Sequence, residues 1–382
     1  MENNINSQSQ NSIDQKKLQN FMEVVLSDLG GAYSAVLVYI GDKLGLYKAM
    51  KDAERPITSQ ELADVTRTSE RNIREWLANQ AAGGYVMYDA ETQRYWLPAE
   101  NALVLADENS FVYSLGAFQG TMSYFKDASK IMEAFRTGRG LSWGEHDPDL
   151  FIGTERFFKP GYKANLVSSW IPSLNNGKVE EKLKNETAVV ADIGCGHGIS
   201  TIIMAKAYPK SKFIGFDNHP ASIERARELA KEEGLSGDQI SFEVSSATDY
   251  PLYSNASKQY DLIAFFDSLH DLGDPVGAAS HALKSLKRDG TAMFVEPFAN
   301  DRIEDNFNPL GRLFYAASAM ACVPGSMACN GPALGAQAGE IKIRGVVMAG
   351  GFKQFRRATQ TPFNIVYEAV APKIICQLLD QL

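Results

Sequence analysis

The sequence predicts an α/β protein: a seven-stranded, doubly wound sheet with an antiparallel hairpin at one edge, preceded by a mainly helical N-terminal domain that ends in a small β wing. Three observations carry this prediction. From Ala188 onward, short apolar runs alternate with amphipathic stretches, the pattern of parallel strands joined by crossover helices. The last two strand patterns, Phe352 to Ala358 and Asn364 to Ala369, are separated only by TQTPF, too short for a helical crossover, so they pair antiparallel. Between the two halves, ADIGCGHGIST (Ala191 to Thr201) joins an acid-bearing strand to a glycine turn and then to a helix.

In chain order, residues 1–16 are polar with almost nothing to bury, lack the apolar stretch of a signal peptide, and are expected to be disordered. Residues 17–109 read as a winged-helix domain. One helix is drawn through SAVLVYIGDKLGLYKAM, and a second through TSQELADVT with Thr58 or Ser59 as its cap. In SERNIREWLANQAAGGY, Ser69 is the expected N-cap, Ile73 and Leu77 share a face beside Trp76, and Gly83 and Gly84 end the helix. YVMYDAETQRYWL then reads as the hairpin wing. Such a unit invites a DNA-binding reading, but residues 18–105 carry eight Lys and Arg against twelve Asp and Glu. Phosphate binding requires the opposite balance, so packing and self-association are the expected roles.

Residues 110–172 read as a helical linker dense in aromatics, leading into a catalytic domain over 173–382. The loop with Trp143, Glu145, His146 and Asp147 mixes an aromatic face with polar groups as ligand pockets do, and Tyr162 follows on the next helix. The first five strands are expected at Val189–Asp192, Lys212–Asp217, Ile240–Val244, Asp261–Phe266 and Thr291–Glu296. After the fifth, the Ala-, Gly- and Ser-rich run from Phe314 to Glu340 is either close-packed helix or a lid. At 382 residues two domains are natural, and a net charge of −8 disfavours a nucleic-acid partner. The longest apolar run, Leu313 to Val323, falls short of the roughly 20 residues that span a bilayer, so no membrane partner is expected and the protein is assigned to the cytoplasm. The four cysteines form no CxxC pair and read as free thiols.

The chemistry concentrates at strand ends, where open α/β sheets bind ligands. Gly194, Gly196 and Gly198 permit positive φ and close ligand approach in the turn before a helix N-terminus. A dinucleotide loop favours GxGxxG, whereas this one reads GxGxG with Asp192 two residues ahead, an acid better suited to a cationic ligand. Asp217, ending the next strand, can accept both hydroxyls of a ribose. These residues resemble a class I S-adenosylmethionine-dependent methyltransferase. The resemblance implies S-adenosyl-L-methionine as cofactor, held by Asp192, the three glycines, Asp217 and Asn218, with Asp267 nearby. In SSATDYP, Ser246 stands where many relatives carry an acid toward the adenine, with Ala247 beside it in the expected cofactor site, leaving Asp249 or backbone groups as alternatives.

Strand four runs into FFDSLHDLGDP, which puts His270 and Asp271 at the ligand edge beside Asp267 and Asp274, and strand five ends in FVEPF with Glu296. An imidazole and a carboxylate so placed can meet, the carboxylate fixing the tautomer and stabilising the imidazolium. The pattern is similar to plant-type O-methyltransferases, with WGEHDP and GPALGAQAGE closer to a bacterial branch. The resemblance implies His270 as general base and Glu296 as its partner, with Glu340 about a turn from where a second orienting Glu stands. It also implies a homodimer and a small-molecule acceptor, methylated at O, N or S; Trp143, His146, Tyr162 and Asp271 are the expected acceptor contacts. The acids here could hold magnesium, but no Asp-Asn pair follows strand five and Asn300-Asp301 has the reverse order, so no metal is expected. Two other readings stand beside this one: a DNA-binding regulator with S-adenosylmethionine as effector, and a non-methylating enzyme on the same fold.

Overall fold

A computed structural model describes residues 13–235, 237–252 and 260–371. The chain divides into two compact units, Met1–Asp107 and Glu108–Leu382. Most of the expected polar tail, and Cys376, lie outside the described residues, while Gln15 and Lys16 already belong to the first helix.

The first unit contains α1 (Gln15–Lys43), α2 (Leu46–Ala53), α3 (Ser59–Thr66), α4 (Glu70–Ala82), the wing strands β1 (Met87–Asp89) and β2 (Arg94–Trp96), and α5 (Ala99–Leu105). The single helix expected over 34–50 is two. Gly45, at φ +67°, turns the chain left-handed between α1 and α2, a conformation that costs glycine little. Thr58 is the cap of α3, its hydroxyl accepting from Glu61 N–H while the Glu61 carboxylate accepts from Thr58 N–H. Ser69 precedes α4 without a side-chain capping bond. The core gathers Leu46, Leu62, Ile73 and Leu77 around Trp76, whose indole N–H donates to the Leu37 carbonyl at 2.8 Å and whose ring meets Tyr47 edge-on.

Most of α1 is bare: Ala35, Val38 and Gly41 are buried, while Phe21, Met22, Leu26 and Leu29 are more than half exposed. By length and composition it is long and apolar enough to cross a membrane, which corrects the expectation that no segment is. A search for an unbroken apolar run misses it because Glu23, Asp28 and the Gly30-Gly31 pair interrupt the sequence without interrupting the helix.

The second unit opens with α6 (Leu115–Lys126), α7 (Ala128–Thr137), α8 (Asp149–Asn165) and α9 (Lys178–Asn185). α6 and α8 cross at glycines: a Cβ on Gly153 would lie 2.4 Å from the Gly120 nitrogen, so backbone packs directly on backbone. The sheet follows, with β3 (Val189–Ile193), α10 (Ile199–Ala207), β4 (Lys212–Asp217), α11 (Pro220–Glu232), β5 (Ile240–Val244), β6 (Tyr260–Phe266), α12 (Pro275–Ser285) and β7 (Leu286–Pro297). Then come α13 (Pro309–Ala317), α14 (Val323–Ala328), α15 (Gly339–Ala349), β8 (Gln354–Gln360) and β9 (Asn364–Val370). Of the two readings of the Phe314–Glu340 run, helix holds over 314–328, with a π turn at Ser318–Cys322 and a loop after Ala328.

Strand order is β5-β4-β3-β6-β7-β9-β8, parallel except for β9, which runs antiparallel to both neighbours. Alternate residues of each central strand enter opposite cores. Leu262, Ala264 and Phe266 join Val190 and Val295 on one face, while Ile263 and Phe265 join Ala191 and Phe294 on the other. Burial on both faces is what makes these strands read as continuous apolar runs. Chain order reverses at the β3/β6 pair, and such a switch opens a crevice beyond the carboxyl ends of the strands.

Candidate active site

A cavity of about 420 Å³ occupies that crevice, within the size range of small-molecule pockets. Gly194, Gly196 and Asp217 line one side, Trp143 and Tyr162 another, and Asp271 closes it beyond β6. A larger cleft, about 740 Å³, lies at the opposite strand ends around the Lys182–Asp261 ion pair. The glycine turn, Asp217 and Asp271 line the smaller cavity and not this cleft.

The glycine turn is pinned from below. Gly194 N–H and Cys195 N–H both donate to the Phe216 carbonyl, at 2.8 and 3.0 Å, and Gly196 N–H donates to Asp217 Oδ2 at 2.9 Å. Asp217 Oδ1 accepts from His219 N–H at 2.9 Å, so one carboxylate ties the turn after β3 to the turn after β4. All three glycines have positive φ. They serve different ends: a Cβ on Gly198 would strike Phe242 at 2.5 Å, whereas one on Gly196 would meet nothing within 4 Å. The first packs helix on strand, and the second leaves room for a ligand against the backbone.

Asp192 lies beneath this turn, fully buried and off the cavity wall. Its Oδ2 accepts from the hydroxyls of Ser200 and Thr201, both at 2.6 Å, and its Oδ1 is buried with no partner. Burial pushes its carboxyl up to about 6, against the pull of those two hydroxyls. Burial likewise raises Asp217, which its backbone bonds counter. An acid held at the rim and open space over Gly196 fit a ligand that lays a ribose against the turn, whereas Asp192, expected as a direct cofactor contact, lies off the cavity wall and braces the turn from beneath because Ser200 and Thr201 hold its carboxylate there.

Beyond β6 the backbone is strained. Asp267 adopts φ +49°, rare for a residue with a side chain, and such strain collects at functional sites. Its carboxylate accepts from Tyr162 OH at 2.9 Å and from Asn364 Nδ2 at 2.8 Å; burial, aided by the charge of Glu296, pushes it up to about 7. His270 sits in the short turn Leu269–Asp271, and its Nδ1 lies 2.6 Å from Glu296 Oε2, both side chains buried. Burial works to lower the imidazole pKa and is the largest single influence, but Glu296 and Cys322 acting together outweigh it and hold the group well above its usual value. Such a dyad stabilises a proton once taken up. Cys322, in the π turn, brings its thiol within 4.8 Å of the same imidazole, and burial lifts Asp271 to about 6.

Among the other expected residues, Asn218 lines the cavity, while Ser246, Ala247 and Asp249 do not, and Ser246 and Asp249 are exposed. His146 is buried behind Trp143, with Nδ1 3.3 Å from Asp127 Oδ2, so it faces α7 and not the cavity. Glu145 closes a capping box with Ser142, and Asp147 pairs with Lys126. Glu340 binds Arg344 and Arg357, and Asp274 caps α12. Sequence reasoning passed over His197, whose Nδ1 lies 2.8 Å from Glu155, as well as Phe151, His219, Asn364 and Cys322. His197 was legible as the polar member of the glycine turn; the others carry no local signal.

Residues 184–333 match the family model described as a methyltransferase domain, and residues 32–107 match the one described as an Rv2258c-like winged HTH domain. Trans-aconitate 2-methyltransferase of Enterobacter sp. (strain 638) is 35% identical over 106 residues, 25% of this chain and 42% of that protein. The chain spans about half the length of several such curated relatives. Ribosomal RNA small subunit methyltransferase C of Serratia proteamaculans (strain 568) is 31% identical over 251 residues, 55% of this chain and 68% of that protein. The structure of human N-acetylserotonin methyltransferase in complex with SAM aligns with a TM-score of 0.64 at 16% identity, covering 95% of this chain and 99% of that one, a likeness of fold.

Proposed function

We propose, for a chain that belongs to the S-adenosylmethionine-dependent methyltransferases, that it moves the sulfonium methyl of S-adenosylmethionine to a heteroatom of a small-molecule acceptor, with His270 as general base. The observation that carries this reading is the buried His270–Glu296 contact of 2.6 Å at the ends of β6 and β7, beside the glycine turn. Asp217 and the turn would hold the ribose and the amino acid portion of the cofactor, whose sulfonium supplies an already activated methyl group. Transfer is then an in-line displacement: a bond from the acceptor heteroatom to the methyl carbon forms as the carbon–sulfur bond breaks. Alignment of the two reactants is capable of contributing on the order of 7 to 11 kcal/mol.

For a hydroxyl acceptor the departing proton goes to His270 Nε2, since Nδ1 donates to Glu296. A small acceptor is favoured over nucleic acid by the net charge of −8 and by the cavity of about 420 Å³. The bare apolar side chains of α1 support self-association of two chains. The test is single-turnover transfer with a hydroxyl acceptor. His270→Ala should lose about 10² or more in rate with the affinity for S-adenosylhomocysteine unchanged, and Glu296→Gln should cause a related, non-additive loss. Near-full activity of His270→Ala on such an acceptor removes the base role. Failure of the wild type to bind S-adenosylhomocysteine removes the methyltransferase reading of this chain.

A further inference from the structure

His270, Asp271 and Cys322 bring three metal-capable side chains together, with one donor atom from each lying within 4.8 Å of the other two. They come from distant parts of the fold: the turn after β6 supplies two and the π turn before α14 supplies the third. An imidazole, a carboxylate and a thiol form the mixed nitrogen, oxygen and sulfur set that suits zinc-class divalent ions and not magnesium or calcium. With bonds of about 2.0 to 2.3 Å, tetrahedral ligand atoms stand roughly 3.3 to 3.8 Å apart, so the trio needs to close by at most about 1.0 to 1.5 Å.

A second, independent feature points the same way. Glu296 holds Nδ1 of His270, the carboxylate–histidine arrangement that fixes a ligating imidazole with Nε2 presented to the ion. The other oxygen of that carboxylate, Oε1, is buried and unpartnered. No ion pair among the described residues joins a lysine or arginine to Asp267, Asp271 or Glu296, so no side-chain ammonium or guanidinium already fills the position a cation would take. Asp271 lines the cavity, which gives an ion a path of entry.

We infer that His270 Nε2, Asp271 and Cys322 Sγ form a binding site for one zinc-class divalent ion, oriented by Glu296. An ion there takes the lone pair that a general base requires, so the metal-bound and base-competent forms of His270 exclude each other; that consequence alone rests on the proposed function.

The test is titration of the full chain with Co²⁺ as the probe, followed by absorption spectroscopy. Expected are one bound ion per chain, visible bands of tetrahedral intensity, and a near-ultraviolet thiolate-to-cobalt band that Zn²⁺ abolishes. Cys322→Ser should lose the near-ultraviolet band, whereas Cys329→Ser, which removes an exposed thiol, should keep it. Glu296→Gln should weaken binding about 10- to 100-fold. A wild type without the near-ultraviolet band, a band that survives Cys322→Ser, or unchanged affinity in Glu296→Gln overturns the assignment. None of these readouts needs the cofactor: a chain that binds Co²⁺ but not S-adenosylhomocysteine refutes the proposed function alone, and the converse refutes this inference alone.

Discussion

Replacing Asp217 by asparagine separates a ligand contact from a purely structural one. Each carboxylate oxygen already accepts one backbone N–H, from Gly196 and from His219, both at 2.9 Å. An amide keeps one of these bonds and turns its NH₂ toward the other N–H, so one charged hydrogen bond is lost whether or not cofactor is present. If the remaining lone pairs serve the ribose hydroxyls, a further charged bond disappears only in the complex. Bonds of this kind are worth about 1.5 to 3 kcal/mol, or roughly 10- to 150-fold in affinity. The assay is calorimetric titration with S-adenosylhomocysteine and with its 2′,3′-dideoxy analogue, on variants whose circular dichroism matches wild type. Wild type should prefer the hydroxylated ligand by at least tenfold, and Asp217→Asn should lose most of that preference. Equal discrimination in both proteins would refute the ribose role and leave Asp217 as a brace for the turn.

Two further predictions follow from buried charge and exposed apolar surface. Asp192, raised to about 6 from an unfolded value near 3.8, binds its proton more tightly when folded, so its contribution to stability is present below about pH 4 and is lost as pH rises through 6. The cost is about 3 kcal/mol, read as a fall in wild-type stability relative to Asp192→Asn between pH 4 and 6 in chemical denaturation. A cationic cofactor favours the ionised form, so S-adenosylmethionine affinity should rise across that window in wild type and stay flat in the variant. On α1, the double substitution Phe21→Glu and Leu29→Glu should convert a dimer to a monomer in light scattering at micromolar concentration. A wild type that is already monomeric would refute the self-association reading.

The local grammar of this chain was readable because its signals are short-range. Alternating burial marks strands that sit between two helical layers, and TQTPF forces β8 and β9 into a hairpin because five residues cannot cross a sheet. The GxGxG spacing places Gly196 and Asp217 correctly because the parallel register aligns the ends of β3 and β4. Even the meeting of His270 and Glu296, 26 residues apart, was legible, since adjacent parallel strands end side by side. Where the reading failed, the missing information was direction or distance. His146 belongs to an EHD triplet that looks ligand-facing, yet the loop turns its ring back onto Asp127. Gly45 sits in a helical pattern and breaks it by going left-handed, a choice that periodicity does not report.

Sequence alone determined which elements form and which strand ends carry acids, glycines and an imidazole, because hydrophobic period and turn chemistry act between near neighbours. Tertiary packing alone decided that Asp192 lies beneath the turn, that Tyr162 and Asn364 grip Asp267, and that Cys322 reaches His270. The Asp267 and Cys322 contacts join segments from 52 to 105 residues apart, and nothing local encodes them; they arise only when both cores close and each helix takes up the one depth at which its side chains interlock.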